Sequence, residues 1–200
     1  MALEEWEIDT MHSGIYFSVR HMVVAKVRGH FDRWRASFLA DDTLERTSLE
    51  VVIDASSIRT GWEGRDAHLK SPAFLDVARY PEITFTSSGV EKLDDGSRFR
   101  LTGSLTMRDV ARVVVFEVDD LGRTTDKSGQ HRAGFVAKTT LDRNDFGITW
   151  NETLEAGGYL VGALVEVEVE IEAIRRLRGM MEPAAAGPLR ITASSVGSPR

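Results

Sequence analysis

Five histidines, thirty-one carboxylates, twenty arginines and five lysines are the charged or readily titrated groups of this 200-residue chain, and cysteine is absent. Without thiols, a cysteine nucleophile, a disulfide framework, a zinc–thiolate site and iron–sulfur ligation are excluded. His12, His21 and His30 recur at nine-residue intervals. An odd interval alternates faces along a strand, so the recurrence does not gather three rings. Asp66-x-His68 is a close His/carboxylate pair with metal-site spacing, but on a helix residues two apart point to different sides. No metal is expected. The chain has no Gly-x-Ser-x-Gly elbow, no Walker loop, and no Gly-x-Gly-x-x-Gly following a strand. No catalytic residue and no cofactor are therefore expected. Arg59, Arg65, Arg132 and Arg143 could each position an anionic head group, with surface ion pairing as the simpler role for any one of them.

The elements that must position these groups are strands. Val165, Val167, Val169 and Ile171 alternate with Glu166, Glu168, Glu170 and Glu172. This period of two, β-branched on one side and acidic on the other, predicts a half-buried antiparallel strand over Leu160–Ile174. About fifteen residues at roughly 3.3 Å each give a strand on the order of 45 Å, a length that suits a tilted barrel strand. The same alternation marks Ile15–Val19, Leu49–Ile53, Ile83–Phe85, Phe99–Met107, Val114–Val118 and Phe135–Leu141. With Val23–Phe31 the total is about eight strands. Asp94-Asp95-Gly96, Asp120-Leu121-Gly122 and Gly157-Gly158 read as turns between them. The pattern predicts an all-β fold, an up-and-down barrel or a sandwich. One stretch differs: Ser71 as N-cap, Pro72 in the first turn, and Phe74, Leu75 and Ala78 on one face predict a short helical insertion within residues 62–79.

The net charge is −6, with −10 on residues 1–172 and +4 on the remainder. Such a body repels phosphate backbones and anionic lipid surfaces, so nucleic acid is excluded as a partner. No run approaches eighteen apolar residues and the N-terminus has no secretory pattern, so stable membrane insertion is not expected and a cytoplasmic protein is. Residues 1–174 are expected to form the barrel domain, and 175–200, which lack periodicity, a mobile tail.

What remains is an aromatic side to almost every strand. Phe17, Phe31, Phe85, Phe99, Phe116, Phe135 and Trp150 would converge inward. An eight-stranded barrel is just wide enough to be filled by side chains or to hold one small ligand. Gly103, Ala137 and Thr139 among the rings would leave room. The expected pocket consists of Ile15, Phe17, Val19, Val27, Phe31, Ile53, Phe74, Leu75, Phe85, Leu105, Phe116, Phe135 and Trp150, with His21, Arg65, Asp66, His68 and Asn151 as head-group candidates near the strand ends and the helical insertion.

Several stretches resemble the YceI-like family. They are Trp6–Asp9, His12–Met22, Val27–Phe31, Ser57–Thr60, Arg65–Asp76, Tyr80–Ser87, Gly103–Val110, Arg132–Phe135 and Leu141–Gly147, in family order over roughly residues 5–173. The resemblance implies an extended eight-stranded antiparallel lipocalin-like barrel holding a long-chain amphiphile such as an isoprenoid quinone, a polyprenyl chain or a fatty acyl compound. It also implies a homodimer, and it brings no catalytic residues. Two other readings stand beside it. One is a lipid-modifying enzyme with an acid/base pair such as His21 and Asp66 in the pocket; the other is a stress or interaction protein with a filled core.

Overall fold

A computed structural model describes residues 3–22, 24–41, 43–44, 46–93, 97–153 and 158–176. Among them, eleven strands form one antiparallel sheet: β1 Glu4–Ile8, β2 Gly14–His21, β3 Ala25–Phe31, β4 Trp34–Ala40, β5 Thr47–Asp54, β6 Ile58–Arg59, β7 Glu82–Leu93, β8 Arg98–Met107, β9 Val110–Thr125, β10 His131–Asp142 and β11 Val161–Arg175. β1 and β2 lie end to end along one side of β11, and β3 and β4 lie end to end beside them. β6 continues the line of β5 and pairs with β3. Counting each collinear set once, the sheet closes as the eight-stranded barrel expected from the sequence, through β1 pairing with β11.

Three local expectations change. The alternation of Trp34, Ala36 and Phe38 with Arg35 and Ser37 makes β4 a strand that the sequence reading passed over, because alanine and serine blur the polar/apolar contrast. Asp120-Leu121-Gly122 is not a turn but a bulge inside β9: Gly122 and Asp120 pair with consecutive residues of β10, leaving Leu121 over, and Gly122 takes a φ of 102°. The helical insertion expected within residues 62–79 is present as α1 Glu63–Lys70, but Ser71, expected as an N-cap, ends it. Pro72 has no N–H for the next helical bond, so Ser71 is the C-cap, its hydroxyl donating to His68 O at 2.7 Å. Residues 71–80 follow as successive turns, with Asp76 at φ 49°. β11 reaches one residue past the expected domain boundary; the tail from residue 177 and the turn at 94–96 lie outside the described residues.

The long strand works as the alternation predicts. Its valines and isoleucine face the core, and its glutamates face outward against cations from neighbouring strands. Lys26 meets Glu166 at 2.5 Å, Lys138 meets Glu168 at 3.1 Å, and Arg132 pairs with Glu172. These neighbours relieve the repulsion that four carboxylates along one face would otherwise impose.

Between β1 and β2 the chain kinks, and β11 holds the kink: Asp9 N donates to Glu172 O at 2.9 Å, and Glu172 N donates to Ser13 Oγ at 2.9 Å. Asp9, His12 and Glu172 bring their ligating atoms within 4.8 Å of one another. Arg132 occupies this cluster, donating to Asp9 at 3.1 Å, to Asp126 at 2.8 Å and to Glu172, which makes it an ion-pair network. The hydrogen bond to Asp9 raises the His12 pKa above its ordinary 6.5, and hydrogen bonds from Ser128 and Arg132 hold Asp126 well below 3.8. A raised histidine stabilises the fold below its unfolded pKa and loses that contribution as pH climbs through the folded one; a depressed aspartate does the reverse, losing its contribution below about 3.8. Melting temperature should therefore slip as pH rises from 6.5 toward 8, and His12→Gln should flatten that slope while leaving the acid limb below pH 4 in place. An unchanged slope in the variant would show that His12 does not contribute.

Candidate ligand-binding cavity

Inside the barrel lie two adjoining apolar chambers. The upper, about 210 Å³, sits beneath α1. Ile15, Phe17 and Val19 of β2, Phe31 of β3, Ile53 of β5, Phe85 of β7, Leu105 of β8, Phe116 of β9 and Val165, Val167 and Val169 of β11 form its sides. Leu69 of α1 and Phe74 and Leu75 of the following turns cap it. The lower, about 120 Å³, is lined by Ile8, Trp34, Ala36, Phe38, Leu44, Phe99, Phe135 and Ile171 among others. Ile15, Val51 and Val169 belong to both walls and mark the constriction between them. A T-shaped pair of Phe85 and Phe116, centroids 5.5 Å apart, stiffens the upper chamber. Phe38 packs edge-on against Phe135 at 6.0 Å in the lower one.

Eleven of the thirteen expected pocket residues line one chamber or the other, Phe135 in the lower and the rest in the upper. Val27 and Trp150 do not. Val27 shares the inward side of β3 with Phe31 but lies beyond the cavity, and Trp150 packs outside the cap against His68 and Phe74, with ring centroids 4.5 and 5.2 Å away. The small residues also act differently from expectation. A Cβ on Gly103 would fall 2.3 Å from the Phe85 ring, so that glycine makes room for phenylalanine. Ala137 lines the lower chamber, and Thr139 lines neither. The lower chamber was the larger omission, since Trp34, Ala36 and Phe38 come from the strand the sequence reading missed.

None of the head-group candidates lines either chamber. Asp66 is buried, and its Oδ1 accepts from Thr60 N at 2.9 Å and from Thr60 Oγ1. Arg65 donates to Thr60 Oγ1 and to Thr60 O, each at 2.7 Å. Together they fasten α1 to the chain that follows β6. Asn151 pairs with Val161 through both its side-chain amide groups, at 2.7 and 3.0 Å, securing the start of β11. His68 is exposed beside Trp150, and His21 ends β2 opposite Val161. These residues ring the capped end of the barrel without converging on the cavity.

Arg143 is the one charged residue in the wall of the upper chamber. It is buried, and its acceptors are backbone carbonyls: Gly162 O at 2.9 Å, Ile148 O at 2.6 Å, Trp150 O at 2.9 Å and Val161 O at 3.4 Å. Burial lowers its pKa from the ordinary arginine value. The chamber surface is entirely apolar, so Arg143 turns its stem to the cavity and its guanidinium away from it. The interior can thus solvate a hydrocarbon and nothing charged.

The chain matches the model of the YceI-like domain over residues 6–173. It belongs to the YceI-like family. A UPF0312 protein of Pectobacterium atrosepticum is 33% identical over 146 residues, covering 72% of this chain and 75% of that protein. A UPF0312 protein of Staphylococcus aureus is 31% identical over 175 residues, covering 85% and 97%. Among solved structures, Burkholderia cenocepacia BcnA has a TM-score of 0.72 at 20% identity, covering 83% of this chain and 99% of that one. A polyisoprenoid binding domain from Saccharophagus degradans has a TM-score of 0.61 at 16% identity, covering 86% and 99%. At these identities the likeness establishes the barrel.

Inside and outside alternate residue by residue along β9 of this YceI-like barrel, where Phe116 is buried and Val115 is exposed. Phe116→Asp should cost at least about 3 kcal/mol in urea unfolding, since it places an unpaired carboxylate in the apolar chamber. Val115→Asp should stay within about 0.5 kcal/mol of the parent. Equal losses would show that the register is off by one.

Proposed function

We propose that this YceI-like domain sequesters or carries a long-chain amphiphile, its hydrocarbon tail threaded through both chambers and its polar end outside them. The observation that carries the reading is the wall itself: two chambers in line along the barrel with almost no polar surface in contact with their contents. A void of this kind excludes water and favours an apolar guest. The Saccharophagus domain of similar fold, named for polyisoprenoid binding, supports the same ligand class: an isoprenoid quinone, a polyprenyl chain or a fatty acyl compound. A filled core is disfavoured by the cavities. Catalysis is disfavoured by the surroundings of Asp66, whose carboxylate is engaged by Thr60, and of Arg143, whose donors face carbonyls. The carrier is proposed to work as a homodimer in the cytoplasm. No helix among the described residues is long and apolar enough to cross a membrane.

The volumes set a length. At roughly 30 Å³ per small group, the liquid-volume share of one water, the two chambers take roughly ten methylenes. Straight-chain fatty acids competing with cis-parinaric acid should gain roughly fourfold in affinity per added methylene, from about 0.8 kcal/mol each, and level off once roughly ten are buried. Solvent extraction of freshly purified protein followed by mass spectrometry should also release a stoichiometric amphiphile. A clean extract together with no competition at any chain length would end the carrier reading.

A further inference from the structure

Both axial ends of the tube are stopped by packed side chains. Leu69, Phe74 and Leu75 cap the upper chamber, and Leu44 and Phe38, both buried, stop the lower. The wall between β9 and β10 is different. Their pairing runs from Thr125↔His131 to Glu117↔Lys138 and stops there. β10 nevertheless continues to Asp142, paired only with β11, and β9 begins seven residues earlier at Val110, paired only with β8. The seam is therefore open above Glu117 and Lys138. Its top is bridged by a hydrogen bond from Arg108 Nη1 to Gly147 O at 2.7 Å. Within this frame no backbone ladder closes the barrel among the described residues. The closure consists of side chains: Phe116 on the β9 lip, Leu141 on the β10 lip and Phe146 above, and all three line the upper chamber. On the outside, Val113 and Val115 of the same lip are 76% and 42% exposed, an unusual outlay of apolar surface on an edge.

Resting on the carrier reading, we propose that the hydrocarbon tail loads and leaves sideways through this window between β9 and β10. Rotation of the Phe116 and Leu141 side chains opens it without unpairing any strand, whereas either axial route requires displacing the cap or the lower plug. The window also resolves where the polar end resides. The chambers have no place for it, and at the window it meets solvent.

The absence of cysteine makes the test clean. Val115→Cys and Thr140→Cys place one outward-facing thiol on each lip, and the shortest bifunctional thiol reagent that spans them ties the lips together. Stopped-flow fluorescence of cis-parinaric acid should show uptake and release at least tenfold slower in the bridged protein than in the same variant before bridging, with the same final intensity. Bridging Asp119→Cys to Val136→Cys, which already pair below the window, should leave both rates unchanged. Equal rates before and after bridging the lips would overturn the window while leaving the carrier reading intact. A parent protein that never brightens the probe would overturn both.

Discussion

Everything in this molecule hangs on β11. It pairs with β10 along one side and with β2 and then β1 along the other, and the β1 contact turns a sheet into a tube. The strand meets two demands at once because its side chains alternate: valines and isoleucine supply one wall of both chambers, and glutamates anchor cations from β3 and β10 outside. Sliding it by one residue would put four carboxylates into a cavity that cannot solvate them, so closure and register are fixed by the same cost.

Closing the tube around one long strand needs the chain paired beside it to bend. The kink at Asp9–Ser13 does this, passing pairing with β11 from β1 to β2. The backbone and hydroxyl bonds to Glu172 and the Arg132 network keep the interrupted ladder supplied with partners. This accounts for the histidine, serine and arginine of the stretches that carry the family resemblance but do not touch the cavity. Their task is to hold the bend that makes the tube long.

The polar groups around the capped end follow the same logic. Asp66, Arg65 and Asn151 had the residue types and positions of a head-group site, yet each is engaged in fastening α1 or the start of β11. Arg143 goes further, gathering four carbonyls around a buried charge so that only its stem reaches the chamber. The interior is apolar because its polar neighbours satisfy one another, and a guest is selected by the absence of partners as much as by fit.

The sequence alone determined the class of fold and the direction of the greasy side chains, because a period of two is a local property of the chain: Phe17, Phe85 and Phe135 could be placed facing inward without coordinates. It also determined that no thiol chemistry was on offer. Where periodicity is weak, as with the alanines of β4, or where one residue decides a boundary, as Pro72 does for α1, local reading went astray. Other features belonged to the tertiary structure. Whether Gly103 leaves a hole or seats Phe85, whether Asp66 faces a ligand or Thr60, and where the seam between β9 and β10 parts all depend on residues distant in sequence. Packing is a property of pairs that only folding brings together.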